Sequence, residues 1–397
     1  MFKGTKMTKS YFLLGNIFSE LGKDEEAVQN YQKAVELNPN NIDAFLSLGV
    51  SLHKIEKYEE AIQNYNKAIA LKPDLVQAFI SKGNSFQELE RYEEAIESYD
   101  KAISLKPDLY YVYFNKGSTL ADLEKNEEAI ECFEKAISLK SDYAEAFLGK
   151  GVCLKKSGKH IEAIETFDKV IALNPENPYG YVNKAEAFQE LEKYEEALED
   201  YNKAIEYDPN DPDFYCCKAI VLNQLQRYEE AFENYDKSIS LKPDHILAYY
   251  NKASLLQDLG KHQEAVEAFD KVIEFTPDEA DLYMNKANSL NELGRHQEAI
   301  EAYDKAIALD PNDIDAPMNK GQLLYDLKKY KEALESYDKV ISLDPDCEDA
   351  YYNKGNALVR LGKYKEAVRS FNKAIELKPD HAEALGNKNL ILSLLKE

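Results

Sequence analysis

Apolar and small residues fall along this chain in two nested periods. The short one places them at i, i+4 and i+7, as in Phe45, Gly49 and Leu52 and again in Ala61, Tyr65 and Ala68, the spacing of one face of an α-helix. The long one repeats that pair of stretches every 34 residues. Its most regular mark is a proline at Pro39, Pro73, Pro107, Pro175, Pro209, Pro243, Pro277, Pro311, Pro345 and Pro379, with Ser141 filling the single gap. Eleven repeats run without insertion from Thr8 to His381, and a half repeat closes the chain.

With each repeat numbered so that its proline is position 32, position 4 is aromatic in every repeat but one, where Pro317 stands instead. Position 8 is Gly or Ala, position 20 is Ala, and position 24 is Tyr or Phe. Each repeat therefore predicts two amphipathic helices, with small residues that let their axes approach closely. Gly22, Gly158, Gly260, Gly294 and Gly362 read as stops for the first helix, and the proline ends the second. Asp at position 33 with an acid three residues later, as in Asp142 and Glu145, reads as an N-cap worth about 0.5–2 kcal/mol. Glu at position 22 stands four residues before Lys at 26, as in Glu97 and Lys101 or Glu335 and Lys339, and predicts a solvated, ion-paired outer wall.

This combination of positions resembles the tetratricopeptide repeat. The resemblance implies an all-α fold, a right-handed superhelical solenoid of antiparallel helix pairs (TPR) in which the first helix of each pair lines a concave side. No single repeat can bury its apolar stripe alone, so neighbours must stack. The organisation expected is an N-terminal tail (1–7), eleven repeats (8–381) and a C-terminal capping helix (382–397).

Composition narrows the function. The formal charge of −24 opposes a phosphate backbone, so nucleic acid is disfavoured and basic or neutral peptides are favoured. The five cysteines form no Cys-x-x-Cys pair, and no apolar run approaches the ~18 residues of a membrane span, which points to a cytoplasmic protein with no membrane partner. No His-Glu-x-x-His, Walker A or Gly-x-Gly-x-x-Gly sequence is present. His160, His262 and His296 replace the aromatic at position 17, His245 and His381 sit between repeats, and only His53 is expected to face the groove. Neither an enzyme nor a metal or cofactor site is expected.

A helical wheel centred on position 4 puts positions 2, 5, 6, 9, 12 and 13 on the far side of the first helix, as the groove. Position 6 is Asn at Asn115, Asn183, Asn251, Asn285, Asn319, Asn353 and Asn387. A row of amides can hydrogen-bond an extended peptide backbone without reading its sequence. The row resembles the asparagine ladder of the O-linked N-acetylglucosamine transferase repeats; the same Asn could equally bond water or a neighbouring repeat. Beside it at position 5 stand Tyr250, Met284, Met318 and Tyr352, candidates for apolar contacts with a ligand or for packing between repeats. Asn288 and Asn356 at position 9 supply asparagines that the family's carboxylate clamp requires, but Met284 and Tyr352 occupy the clamp's lysine position. Lys recurs at position 7 from Lys82 to Lys388, its stem expected over apolar surface with the ammonium in water.

In the closing helix Leu385 and Leu392 fall at core positions, Ile391 and Leu395 toward an absent neighbour, and Leu390 and Leu394 on the groove side. A homodimer through this helix, a further domain, or rotation of the helix would each cover them. The sequence thus predicts a non-catalytic scaffold that binds extended polypeptides in its groove. The alternative is the substrate-recruiting arm of a transferase or another enzyme complex.

Overall fold

The computed structural model describes residues 2–394, with side chains described for residues 7–394. Among the described residues there are twenty-three α-helices, numbered α1 to α23 in chain order, and no strand. Odd-numbered helices are the first of each repeat (A helices) and even-numbered ones the second (B helices). Each A helix packs antiparallel on its own B helix, and each hairpin stacks on the next within two compact bodies, Met1–Pro209 and Asn210–Glu397. Helix α1 spans Phe2–Glu20, so residues 2–7, set apart in the sequence as a tail, are helical in continuity with the first repeat.

The hairpin is held by the small-to-aromatic contact that the repeat encodes. A Cβ added at Gly83 or at Gly355 would lie 2.5 Å from the ring of Tyr99 or of Phe371. Both rings are wholly buried, against Ala95 and Ala367 at position 20. Gly22, Gly158, Gly260, Gly294 and Gly362 adopt left-handed φ of 69–74°, as their place at the end of the A helix requires. The other repeats put Glu56, Glu90, Glu124, Glu192, Gln226 and Lys328 in the same region.

Three sequence expectations are corrected. The N-cap lies at position 34, not 33: Asn41 accepts from Ala44 N at 3.2 Å, and the His245 Nδ1 accepts from Ala248 N at 3.1 Å. Among the described residues the intrahelical ion pairs run i,i+3, as in Lys203 with Glu206 at 2.7 Å, and not i,i+4. The lysines of position 7 are ion-paired to the preceding repeat's position 25: Lys252 to Asp236, Lys286 to Asp270, Lys320 to Asp304 and Lys354 to Asp338, each at 2.5 Å. Where position 25 is Asn66, Lys82 has no such partner, and burial pushes its ammonium below the usual lysine range.

Candidate functional site

Burial along the A helix is not centred on position 4. Position 3 is buried in the repeats after the first, as in Val112, Ala248 and Leu282, and so is position 10, as in Ser85, Val221 and Leu255, whereas Ser10 and Ile17 of the first repeat are exposed. The position-4 tyrosines are half-buried and turn their hydroxyls outward: Tyr113, Tyr181 and Tyr283 donate to the carbonyls of Pro107, Pro175 and Pro277 at 3.3, 3.1 and 3.0 Å. Positions 3, 8, 10 and 11 together place the buried centre about 60° from position 4 on the wheel. The cause is that an A helix is covered both by its own B helix and by the preceding repeat. Positions 6, 9, 12 and 13 remain on the open A-helix face.

This rotation settles the closing helix, α23 (Ala382–Leu394). Ile391, at position 10, is 3% exposed and packs into the core cluster of Leu358 and Phe371, so it faces the preceding repeat and not an absent neighbour. Leu385, expected in the core, is 44% exposed, and Leu390 and Leu394, on another face of the helix, are exposed as well. Leu395 lies outside the described residues.

The asparagine row divides by what its amides do. Asn115 donates to the Asn84 Oδ1 at 3.0 Å and Asn387 to the Asn356 Oδ1 at 2.9 Å, so both serve the junction of adjacent repeats. Asn183 and Asn251 donate to carbonyls of their own helices, Tyr179 O and Leu247 O, and Asn183 also accepts from Lys155. Asn353 points its amide at the Met318 sulfur, 3.7 Å away. The side chains of Asn285 and Asn319 make no hydrogen bond among the described residues, and both are half-buried. Asn288 accepts the Tyr303 hydroxyl at 2.6 Å, as Asn84 accepts that of Tyr99 at 2.9 Å. Position 9 thus ties the groove face to the aromatic beneath it, a role the sequence reasoning missed.

Position 5 is packing as much as surface. Met284 and Met318 lie against the cluster of Tyr303, Leu323 and Tyr337, and Tyr250 lies on that of Phe269. Tyr352 contacts Phe371 and His381, ring centroids 6.1 and 4.8 Å apart. Each keeps part of its side chain exposed. A cavity of about 310 Å³ shows how the face is assembled: Tyr325, Tyr352, Asn356, Val359 and Arg360 meet Asn387, Leu390 and Ile391. The Arg360 Nε donates to the Tyr325 hydroxyl at 3.2 Å across it. His53, the groove histidine, holds the Ser85 hydroxyl at 2.9 Å, and burial lowers its pKa.

Helix pairs of this kind, stacked every 34 residues with the A helices of each body sharing an open face, invite comparison with known repeat families. Family models described as TPR repeat match residues 15–56, 51–89, 83–123, 186–226 and 321–362, and others described as Tetratricopeptide repeat extend the match over 15–314 and 321–381. The chain is a tetratricopeptide-repeat protein.

No curated relative matches the TPR chain by sequence. Among solved structures, the C-terminal part of a TPR repeat-containing protein from Cytophaga hutchinsonii is 17% identical, covers 60% of this chain and 98% of its own, and superposes with a TM-score of 0.55. YrrB, described as a TPR protein with an unusual peptide-binding site, is 27% identical over 45% of this chain and 92% of its own, with a TM-score of 0.41. Yeast Tom70 is 19% identical over 98% of this chain and 96% of its own, with a TM-score of 0.40. Among the described residues no group of three metal-ligating side chains converges, and no helix is long and apolar enough to cross a membrane.

Proposed function

We propose that this TPR protein is a non-catalytic scaffold that binds extended polypeptide along the A-helix face of repeats eight to eleven. TPR architecture supports a protein-interaction role in general. The observation that carries the finer reading is the pair of unused amides at Asn285 and Asn319. Each is half-buried, each stands beside a partly exposed methionine, and each retains both donor and acceptor for a peptide backbone. Where the same residue type is consumed by the fold, as at Asn115 and Asn387, it offers less.

Asn285→Ala with Asn319→Ala tests this. Neither side chain supports the fold, so helicity and melting should be unchanged, while affinity for captured extended peptides should fall about tenfold or more, the loss of two or more backbone hydrogen bonds at about 0.5–1.5 kcal/mol each. Undiminished affinity in the double variant refutes the assignment of the groove.

A further inference from the structure

The helices concerned are α15 (Ile246–Asp258), α17 (Ala280–Glu292), α19 (Asp315–Asp326) and α21 (Glu348–Arg360), all within the body 210–397. Three of them end on an acid: Asp258, Glu292 and Asp326, all at position 13. A carboxylate there opposes the negative end of its own helix dipole, and no basic residue stands in the last turn of any of the three. All three are exposed, and none has an ion-pair partner among the described residues. The contrast with the opposite face is direct, because the position-25 acids Asp236, Asp270, Asp304 and Asp338 are each neutralised by a lysine. Helix stability therefore explains acids at the start of a helix, such as Asp281, Asp315 and Asp349, but not these three at the end. The groove lies between the two acidic margins, and the one cation among the described residues at groove positions of these four helices, Arg360, donates to Tyr325.

A second observation falls at the same place. Tyr31, Tyr99 and Tyr303 at position 24 bond the groove-face Asn16, Asn84 and Asn288. In the tenth repeat Gln322 takes that position and donates to Asp326 at 3.1 Å instead. The Tyr337 hydroxyl is left wholly buried with no partner beneath the floor, close enough for the charge of Asp326 to act on it. A buried hydroxyl at the position that elsewhere bonds the groove-face asparagine, here left unbonded, is a vacancy for a hydrogen-bond partner.

We propose that this face takes an extended segment carrying Lys or Arg at every third residue, with its backbone on Asn285 and Asn319 and its cations against Asp258, Glu292 and Asp326. The inference rests on the groove reading above and adds the partner's chemistry. The spacing follows from geometry: packed helices lie about 8–10 Å apart, and an extended segment in the polyproline II conformation advances about 3.1 Å per residue with about three residues per turn, so one repeat spans about three residues and every third side chain returns to the same side.

The test uses the full chain and fluorescein-labelled peptides of about twelve residues, four repeats' worth, built as Lys-Ser-Ser, Gln-Ser-Ser or Glu-Ser-Ser repeats and read by anisotropy. The lysine peptide should bind best, and weaken between about 20 and about 150 mM salt as the Debye length contracts. Asp258→Asn with Glu292→Gln and Asp326→Asn should cost it about tenfold to a hundredfold, at about twofold to fivefold per carboxylate. Glu267→Gln with Glu301→Gln and Glu335→Gln makes the same change of charge on exposed B-helix positions and should cost less than about twofold. Equal losses in the two triple variants would reduce the effect to net charge and overturn the site. If the three peptides bind alike, or the glutamate peptide binds best, and only Asn285→Ala with Asn319→Ala weakens them, the groove stands and the basic partner falls. Failure of all three peptides to bind overturns both.

Discussion

Two tyrosines at the same position of the repeat should respond to loss of their hydroxyls with opposite sign. Tyr99 and Tyr337 are both wholly buried, and Phe occupies position 24 at Phe133, Phe167, Phe269 and Phe371, so the ring without its oxygen fits the site. The Tyr99 hydroxyl lies 2.9 Å from the Asn84 Oδ1 and 3.1 Å from the Gln87 Oε1. Asn84 retains the Asn115 amide when that hydroxyl is removed, so no buried acceptor is orphaned. Tyr99→Phe then loses only a net hydrogen bond, about 0.5–1.5 kcal/mol. The Tyr337 hydroxyl has no partner, and burying such a group costs about 1–3 kcal/mol. Tyr337→Phe recovers most of that, less the small void left by the oxygen, for a gain of about 1 kcal/mol. The variants should thus differ by roughly 2 kcal/mol. Because a long repeat array need not unfold in one step, the better assay is amide exchange compared locally, α19 with α20 (Tyr330–Leu343) against α5 (Val76–Glu88) with α6 (Tyr92–Leu105). Equal destabilisation of both hairpins would show that Tyr337 is satisfied in solution and refute the reasoning.

Four further outcomes are expected. Pro317→Tyr should slow exchange in α18 (His296–Leu309) and α19, because an aromatic ring there would fill part of a cavity of about 290 Å³ that Ile300, Ile307, Pro317 and Leu324 line together with charged side chains such as Asp304 and Lys320; unchanged exchange would contradict a weak junction there. Asp200 is buried, and desolvation first, against the opposing charge of Lys184, raises its pKa to about 6. A carboxylate raised in the folded state takes up its proton there before it does in the unfolded chain, so its destabilising effect is full above about pH 6 and fades as pH falls toward 4. Asp200→Asn should therefore stabilise at pH 8 by at most about 3 kcal/mol and not at pH 4, as read by urea midpoints, and a pH-independent effect would exclude this cause. Asn66→Asp should complete the ion pair of Lys82 and stabilise by up to about 1 kcal/mol at low salt, a gain that 1 M salt removes; a salt-insensitive gain would point to packing instead. Leu390→Glu with Leu394→Glu should abolish self-association through α23, and sedimentation of the unmodified chain as a monomer at micromolar concentration would eliminate that homodimer.

The sequence by itself determined the hairpin, the number of repeats and the contact that defines each, since Gly at position 8 and an aromatic at 24 are a local pairing repeated without insertion. It also determined which residue types stand on the open face of the A helix. Which way the A helix is turned was decided only by tertiary structure. Large apolar residues mark position 4 in the sequence, but Ala at 3 and Ser at 10 are the more deeply buried, because the preceding repeat covers that side and small side chains give no hydrophobic signal of it. Ile391 was misplaced for that reason. The lysine row looked solvated because its partner acids stand on the preceding repeat's B helix, 16 residues earlier, a relation no single-helix wheel contains. The asparagines are alike in sequence and differ in use: Asn115 and Asn387 meet an Asn of the preceding repeat, whereas Asn285 and Asn319 are left open. Which amide is free depends on the side chains that the neighbouring repeat brings within about 3 Å, and stacking alone decides that.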